Sequence, residues 1–548
     1  MAAPGRRVWL AAIDIAGRRL YLSDADASPV ATVATEDYAA GAVLRHDPLL
    51  ATPTVSWRGI PGGDALGDFD AEIAFLLPAD LSLCALWARG QPVHRARIEL
   101  SVWYEGDAYE ARYVQAIGYM EVDSFALAGE QVTGSILAPD PTLADTLPGP
   151  DDVVSNANLD PYDVIGGSTI GFSMPDDVVG SGYPFVLGRA GEFVDGDGLA
   201  TSIPASPALL ITQAAANERM LVAARPTVSG ATLTIYNASA TGLAPVSATF
   251  SIEYITDTNG QILSTVDVSA PTGWALDGTE DFYAAGWSDG IAFDNGDVIR
   301  GLGDVCFYLI SLTNAAAIYD IGRWRGAQAA LNTIEVGGYI DQPATAWEIM
   351  SEQLLQLYPL CVVLNGPGGL YPAIFEDVAP DDCVELVEGQ DFDLPDNERP
   401  SYVTDEVYTA IRLQYGLNAA TQNYVGAVEI GPQTDEVSEG GAEMSLRGYS
   451  WSVGVDGKPT RETRAMQSAW LWLHDSAQKV ALQRLALDHE RLPAFRMVLL
   501  DDIRWKSLPI GLAVRVTSTT YGWSKVPMWV CGQTLSAIDE IEVIARPR

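Results

Sequence analysis

The amino-acid sequence predicts a mainly β protein with some helix, built from several domains of the α+β type. Its 548 residues, at about 150 residues per domain, give roughly three to four domains. Hydrophobic residues make up 48% and charged residues 19% of the chain, which allows large buried cores. Apolar and polar residues alternate over long stretches, while helical spacing is confined to a few segments.

The N-terminal region, 1–135, is predicted to be a small β-barrel or a strongly twisted sheet. A hairpin over 13–22 is expected to turn at Ala16-Gly17. A strand over 96–104 carries an entirely apolar face, formed by Ala96, Ile98, Leu100, Val102 and Tyr104. A second long strand is expected at 109–122, and a short helix at 80–88.

The next two regions differ in composition. Residues 136–206 are rich in Pro, Gly and Asp, so we expect an extended connection with little core. Residues 207–285 alternate again between turns such as Asp257-Thr258-Asn259-Gly260, which predicts an antiparallel β-domain of the sandwich type.

Residues 286–400 are predicted to form a mixed helical subdomain. Thr345 and Glu348 make a capping-box pattern at the start of a helix that should end before Pro359. Its apolar residues follow at helical spacing: Trp347, Met350, Leu354 and Leu357. A shorter helix is expected over 304–312, and a hairpin over 361–376.

The C-terminal region, 401–548, is expected to begin with a strand at 407–413. A long helix with a small and apolar face is predicted from about Glu462 to Glu490. Four strands should follow, over 495–500, 512–517, 528–532 and 541–544.

The chain is strongly acidic, with 32 Lys and Arg against 72 Asp and Glu and a formal net charge of −40. Binding to phosphates requires clustered cations, so general nucleic-acid binding and attraction to an anionic membrane are disfavoured. The charge is uneven, because residues 441–548 hold 14 basic and 11 acidic residues. All four lysines lie there, which marks this segment as a distinct module: Lys458, Lys479, Lys506 and Lys525.

The sequence offers little for catalysis or metal binding. Nucleophile-elbow, phosphate-loop, zinc-protease and dinucleotide motifs do not occur. The histidines are scattered, and His474 and His489 are 15 residues apart on the predicted helix, too far to share a metal. The five cysteines favour buried thiols in a reducing compartment: Cys84, Cys306, Cys361, Cys383 and Cys531. We therefore predict no catalytic residue, no cofactor and no metal ion.

Three acidic turns place oxygen atoms at alternate positions, as a calcium-binding loop would at its start. They begin at Asp195, Asp257 and Asp294. The twelfth position of such a loop requires a bidentate Glu, and the chain has Ser206, Val268 and Val305 there. Tight β-turns explain the three segments better.

We predict neither a membrane-spanning helix nor an export signal from the sequence. No apolar run reaches the roughly 18 residues of a membrane-spanning helix. Arg6-Arg7 precedes an apolar stretch that stops at Asp14, which predicts a strand and not an export signal. Assembly or action in the cytoplasm is the expectation.

Two motifs follow one another near the C-terminus. The first is Ala481-Leu482-Gln483-Arg484-Leu485-Ala486 within the predicted helix, and the second is Pro509-Ile510-Gly511 leading into Val514-Arg515-Val516-Thr517. Together they resemble the end of baseplate hub (tail hub) proteins of long-tailed bacteriophages and gene transfer agents, with Ile510 inserted between the proline and the glycine. Segments 69–100, 183–189 and 300–309 are similar to further parts of such proteins.

The resemblance implies two small tube-like β-barrel domains, at about 1–135 and 401–548, with 207–285 as an insertion. It implies a non-enzymatic, structural virion protein that forms a trimeric ring, joins the tail tube to the tail tip and lets DNA pass during ejection. The implied partners are two further copies, distal-tail or tail-tube ring proteins, tail-tip or fibre proteins and the C-terminus of the tape-measure protein. The implied location is the tail baseplate, after assembly in the host cytoplasm.

Alternatives remain open at this point. The chain could be a distal tail protein, or a receptor-binding adhesin whose 207–285 module contacts a glycan. It could also be a tail-associated cell-wall hydrolase, although 72 acidic residues make any single carboxylate pair uninformative. For a hub, carboxylates along a channel would repel DNA phosphates; acidity that serves only solubility or a saline habitat is the competing explanation.

Overall fold

The computed structural model confirms a mostly β protein with a nearly closed, barrel-like sheet and few helices. It describes all residues except 1–4, 16, 36–37, 62–65, 79–80, 82–94, 127–130, 138–139, 142–143, 156, 160–173, 215–216, 226–230, 239–245, 269–273, 275–280, 288–290, 293–297, 314–317, 366–368, 377, 396–399, 403–406, 432–462, 490–491, 502–503 and 547–548. The predicted helix at 80–88 lies outside the described residues, apart from Leu81.

The first seven strands form an antiparallel sheet in the order β2-β1-β5-β6-β7-β4-β3. They are β1 (Arg7–Ile15), β2 (Arg18–Ser23), β3 (Thr54–Arg58), β4 (Asp68–Leu76), β5 (Arg97–Tyr104), β6 (Tyr113–Ala126) and β7 (Gln131–Leu137). The chain between β2 and β3 bridges both sides of this sheet, because Asp47 pairs with Leu22 and Leu50 pairs with Phe75. These strands therefore curl into a nearly closed barrel, called the first barrel below.

Local predictions in the first barrel hold with one correction. The β1–β2 hairpin is present, and the predicted apolar face of β5 is buried. The strand expected from residue 109 begins only at Tyr113, because Tyr109–Ala111 forms one 3-10 turn. That turn buries the Tyr109 ring and presents Glu110 to the backbone of a neighbouring loop, which an extended strand would not do.

Residues 140–207 contribute more core than we expected for an extended connection. Four short strands lie here: β8 (Thr146–Leu147), β9 (Phe185–Gly188), β10 (Glu192–Val194) and β11 (Ala200–Ser202). β9 is fully buried. It pairs with a later strand, Gly337–Ile340, so the Pro- and Gly-rich segment is anchored by sheet contacts and not merely stretched over the surface.

The alternating segment after it forms one antiparallel seven-stranded sheet. Its strands are β12 (Ser206–Pro207), β13 (Leu209–Ala214), β14 (Asn217–Ala223), β15 (Thr232–Asn237), β16 (Val246–Thr256), β17 (Ile262–Asp267) and β18 (Phe282–Ala285). The long strand β16 pairs with β15 through its first half and with β17 through its second half. One strand thus serves two halves of the sheet, as in a sandwich with a shared strand.

The helical subdomain contains the two predicted helices and the predicted hairpin, and in addition a helix over Ile321–Leu331 that was not predicted. Its elements are β19 (Ile291–Ala292), β20 (Val298–Ile299), α1 (Leu302–Leu312), α2 (Ile321–Leu331), β21 (Gly337–Ile340), β22 (Ala344–Thr345), α3 (Ala346–Ile349), β23 (Leu360–Asn365) and β24 (Gly369–Ile374). The capping box is present: the Thr345 hydroxyl accepts from the Glu348 amide at 3.2 Å, and the Glu348 carboxylate accepts from the Thr345 amide at 2.6 Å. After α3 the helix continues as a π turn and a 3-10 turn to Leu357, ahead of Pro359 as expected.

The remaining strands and one helix complete the fold. They are β25 (Val384–Val387), β26 (Phe392–Asp393), β27 (Ser401–Tyr402), β28 (Ala410–Asn418), β29 (Asn423–Ile430), β30 (Thr463–Ser468), α4 (His474–Asp488), β31 (Pro493–Leu499), β32 (Ala513–Ser518), β33 (Trp523–Leu535) and β34 (Glu540–Ala545). β25, β26 and β31–β34 surround a second barrel-like core, and the four predicted final strands are confirmed.

The prediction of a helix from about Glu462 is wrong ahead of His474. Residues 463–468 form β30, which pairs in parallel with β28 from Ala410–Thr463 to Tyr415–Ser468. The helix begins only at His474, after two buried tryptophans, Trp470 and Trp472. The small residues that suggested one helical face also fit an alternating strand, and only the partner strand decides between the two.

The two barrels are joined edge to edge. β33 is 13 residues long. Its last residues pair antiparallel with β3 of the first barrel, from Val55–Leu535 to Arg58–Gly532. One sheet of 14 strands therefore runs through both barrels.

Two large apolar clusters account for most of the core. One contains residues of both barrels, such as Trp9 and Phe495, together with the β23–β24 hairpin. The other contains the seven-stranded sheet, α1, α2 and most of the buried face of α4. The predicted domain boundaries stay predictions, but both ends of the chain share one core while the middle builds another.

Candidate interaction site

The joint between the barrels is fixed by side chains as well as by strand pairing. Arg7 in β1 lies 2.5 Å from Asp539, in the turn between β33 and β34; the Asp539 side chain is buried and that of Arg7 is mostly buried. Arg7 also donates to the Ser536 carbonyl. Arg58 in β3 pairs with Glu542 in β34 at 2.9 Å. Ion pairs between distant ends of the chain therefore fix the register of the two barrels.

An apolar patch lies on the outside of the first barrel. Tyr119 in β6 and Leu137 in β7 are direct cross-strand partners, and their side chains are 59% and 43% exposed. Ile117, on the same side of β6, is partly exposed. We call these three residues the β6–β7 patch. Cross-strand apolar pairs this exposed on a barrel wall are typical of a contact surface.

A second exposed apolar surface lies on the loop between β2 and β3. Val30, Val33 and Val43 are exposed there. Glu110 holds this loop in place by accepting hydrogen bonds from the amides of Thr32 and Val33 at 2.9 and 3.1 Å. These bonds, led by the one from the Thr32 amide, lower the pKa of Glu110 to about 2. The valines are therefore presented on an ordered loop.

A cleft of about 350 Å³ lies where the two barrels meet α2 and the β23–β24 hairpin. We call it the junction cleft. Three cationic side chains line it: Arg112, Arg323 and Lys506. Aromatic walls come from Trp57, Tyr113, Tyr371 and Trp505. The residues that line it include no Asp or Glu.

The cations of the junction cleft lie against aromatic faces. The Lys506 ammonium lies 3.5 Å from the ring centroid of Tyr113 and 4.0 Å from that of Tyr104. The Arg323 guanidinium lies 4.1 Å from the ring centroid of Tyr371. Arg112 is bound to Glu99 through two nitrogens at 2.6 and 2.9 Å. Burial alone would lower the pKa of Arg112, but the Glu99 charge and its neighbours raise it, so this guanidinium stays charged.

The histidines occupy separate environments. His46 is buried, with Nδ1 2.9 Å from the Leu44 carbonyl, and burial lowers its pKa to about 4. The Nδ1 atom of His474 lies 3.0 Å from the Tyr415 hydroxyl. His489 caps the end of α4. His94 lies outside the described residues.

The described cysteines are free thiols. Cys306, Cys361 and Cys531 are buried, as expected, whereas Cys383 is only partly buried, against the prediction. Burial raises the pKa of Cys306 and of Cys361 to about 12, and it raises that of Cys531 as well. A thiol with such a pKa is protonated at neutral pH and a poor nucleophile. Cys84 lies outside the described residues.

Two of the acidic turns are closed by their own backbone. Asp195 Oδ1 accepts from the amides of Asp197 and Leu199 at 3.0 and 2.9 Å. Asp257 Oδ1 accepts from the amides of Asn259 and Gln261 at 3.0 and 2.7 Å. These bonds are those of Asx turns, which explains the residue pattern without a cation. The turn at 294–297 lies outside the described residues.

Within the described part of the chain, no three His, Cys, Asp or Glu side chains lie close enough together to hold a metal ion. None of its helices combines the length and apolar character that a membrane crossing requires.

The junction cleft was not foreseen from the sequence. Its lining residues come from positions 57 to 533, and no spacing rule connects them. One signal was available, because Lys506 belongs to the lysines that are confined to the C-terminal segment. The pairing of β3 with β33 had no local signal at all.

Comparison with known proteins gives distant likenesses only. No protein-family model matches the sequence, and no curated protein matches it. Among solved structures, the chain is similar to the 43 kDa tail protein of prophage MuSo2 from Shewanella oneidensis, with 9% identity, coverage of 98% of each chain and a TM-score of 0.38. A tail protein from Neisseria meningitidis MC58 gives 8% identity, coverage of 98% of this chain and 96% of that one, and a TM-score of 0.37.

The prophage tail protein gp18 from Listeria monocytogenes EGD-e is similar at 9% identity, with coverage of 92% of this chain and 91% of that one and a TM-score of 0.33. At TM-scores below 0.5, these likenesses carry no conclusion about this chain.

Proposed function

We propose that this chain is a structural tail protein of a phage-like particle, and more specifically a baseplate hub. The observation that carries the proposal is the joint between β3 and β33, which makes two barrels of one chain into neighbouring segments of a continuous sheet. A chain with two joined barrels supplies two adjacent positions of a ring. Three copies would then close a ring of six barrels.

The position of the β6–β7 patch supports this ring. The first barrel meets the second through β3, and the patch spans β7 and β6, which lie two and three strands from β3. In a barrel with about seven strands, these two positions lie roughly 100° and 150° from β3 around the barrel axis. In a ring of six equal members, the directions from one member to its two neighbours form an angle of about 120°. The patch therefore lies where the next copy would be.

The strong acidity fits a channel through the ring. Carboxylates along the channel would repel DNA phosphates, so DNA would pass without being held. A reconstruction of the assembled ring tests this. Carboxylates concentrated along the channel are expected, and an even distribution over the outer surface would contradict it.

The proposed neighbours follow from the same role. They are a distal-tail or tail-tube ring on one side, a tail-tip or fibre protein on the other, and the end of the tape-measure protein in the channel. We propose the virion tail baseplate as the location, after assembly in the host cytoplasm. Gold labelling of this chain in purified particles should mark the tail end, and label elsewhere on the particle would contradict the proposal.

The ring contact can be tested by the mass of the purified chain in solution. The wild-type chain is expected to form trimers, and Tyr119→Asp combined with Leu137→Asp should yield monomers, because two buried carboxylates would face an apolar surface. Tyr254→Asp, a change at a 42% exposed tyrosine on the seven-stranded sheet, is the matched control and should leave the trimer intact. A trimer that survives the double change would contradict the proposed contact, and a wild-type monomer at all concentrations would contradict self-assembly into a ring.

We propose no catalytic role for the chain. The protonated buried thiols and the separated histidines support this. A peptidoglycan zymogram of the purified chain should stay without a lytic band, and a clear band would overturn the proposal.

A further inference from the structure

The junction cleft has a chemistry that the proposed hub role does not require. It concentrates three cations and four aromatic rings in a chain with more than twice as many acidic as basic residues. We propose that the junction cleft binds a small oxyanion carried on a flat ring, that is, an aromatic carboxylate or an aromatic phosphate. The proposal is independent of the ring assembly.

The charge of the cleft favours an anion. Arg112 is largely neutralised by Glu99, but the ion pair of Arg323 is longer, with its Nε atom 3.5 Å from Asp320. The Arg323 side chain is 44% exposed, so its guanidinium is open to a ligand. Lys506 adds a third positive charge from another element. A guanidinium and an ammonium are the groups that bind carboxylates and phosphates in proteins.

The cations are held in place before a ligand arrives. Arg323 rests on Tyr371, and Lys506 rests between Tyr113 and Tyr104. Contacts of a cation with a ring face reduce the conformational freedom of these long side chains. A site whose charged groups are fixed in advance loses less entropy on binding.

The walls of the cleft suit a flat ring. Tyr113 is 41% exposed and meets Trp505 edge to face at 6.1 Å between ring centroids. Two apolar side chains that line the cleft, Leu364 and Ile510, are buried. A volume of about 350 Å³ is within the range of small-molecule sites. Ring stacking and an anion contact can therefore be made by one ligand.

A purely structural role is the competing explanation. The same cation–ring contacts join the 3-10 turn Arg504–Ser507 to the first barrel, and α2 to the β23–β24 hairpin. If the cations only joined these elements, replacing them would lower the stability of the chain, and the wild-type chain would bind no anion. Stability and binding must therefore be measured on the same variants.

The experiment is a fluorescence titration of the full chain, since Trp57 and Trp505 line the cleft. The probes are benzoate and phenyl phosphate. Inorganic phosphate, benzamide and phenol are the comparison compounds, each of which lacks either the ring or the charge. At least one of the two probes should saturate, and bind about tenfold or more tightly than its comparison compounds. Binding of benzoate alone would identify a carboxylate as the anion, and binding of phenyl phosphate alone would identify a phosphate.

The variants connect the binding to the cleft. Arg323→Gln and Lys506→Gln should each weaken the best probe about tenfold, while Arg323→Lys should recover part of the loss. Arg496→Gln, at a 62% exposed arginine in β31, is the control and should leave binding unchanged. Absence of saturation by every probe would overturn the proposal, as would equal weakening by Arg496→Gln. A lower thermal midpoint in the two Gln variants, with no binding by the wild type, would show that the cations only join the elements.

Discussion

At the residue scale, a buried ion pair explains why the helical motif near the C-terminus contains an arginine, Arg484. Arg484 belongs to the helical motif that resembles tail hubs. The structure places its Nε atom 2.9 Å from Asp488, one turn later, and Asp488 also accepts from Arg464 of β30 at 2.9 Å. Burial and the nearby Arg464 charge lower the pKa of Arg484, and Asp488 opposes them. The motif therefore anchors α4 to a strand.

The variant Asp488→Asn tests how much the carboxylate that Arg464 and Arg484 share contributes to stability. The change leaves two guanidinium groups facing each other at a buried site, so we expect a loss of about 3–5 kcal/mol of folding free energy. Urea unfolding of the purified chain measures it. Asp381→Asn removes a fully exposed carboxylate, 4.0 Å from Arg515, and should leave the free energy of unfolding nearly unchanged. Equal losses for the two variants would contradict the role of Asp488.

The buried His46 predicts a specific pH dependence. Its pKa is about 4 in the folded chain, against an ordinary value of 6.5 for histidine. Between these two values the unfolded chain binds a proton that the folded chain does not, so stability is full above pH 6.5 and falls as the pH falls toward 4. The total effect is about 3 kcal/mol. Burial is the main cause; Arg112 adds to it, and the Leu44 carbonyl and Asp47 oppose it.

The test compares wild type with His46→Phe, which cannot titrate. The free energy of unfolding should fall less steeply between pH 6.5 and 4 in the variant than in the wild type. Because many carboxylates also titrate in this range, only the difference in slope is diagnostic. Identical slopes would show that His46 titrates normally in the folded chain.

At the element scale, local signals were reliable where a few neighbouring residues decide the structure. The helix after Thr345 has its cap, its spacing and its proline stop within 15 residues, and the structure follows them. The predicted helix start at Glu462 was wrong because β28, a strand 53 residues earlier in the chain, pairs with residues 463–468. Tertiary pairing overrides local spacing in such short segments.

The helix cap at Thr345 predicts that Thr345→Ala lowers the free energy of unfolding. The variant removes the oxygen that accepts from the Glu348 amide and should cost about 1 kcal/mol. Thr345→Ser keeps this oxygen and is the matched control for loss of the methyl group. Thermal unfolding measures both. A Ser variant as unstable as the Ala variant would mean that the methyl group, and not the cap, matters.

At the scale of the whole molecule, the ends of the chain share one core. The β3–β33 pairing and the Arg7–Asp539 contact join strands more than 470 residues apart. Side chains of both barrels belong to one apolar cluster, while the seven-stranded sheet belongs to another. Disturbance of one barrel should therefore reach the other before it reaches the middle.

Arg7→Leu tests this coupling. It leaves the Asp539 carboxylate buried without its cation, which should cost about 3–5 kcal/mol. Hydrogen–deuterium exchange should become faster in β1 and β5 and also in β33 and β34, while β15–β17 stay unchanged. Arg7→Leu with Asp539→Leu should recover much of the loss, because no charge is then left buried. Faster exchange confined to β1 would contradict a shared core.

The sequence by itself determined the fold class, most strands, the capped helix and the buried cysteines. These depend on periodicity, turn residues and caps, which act over a few residues. The tertiary structure alone decided that β3 continues into β33, that 463–468 is a strand, and that Arg112, Arg323 and Lys506 share a cleft. Contacts between residues hundreds of positions apart leave no local pattern, since the chain between them sets no spacing that a sequence could display.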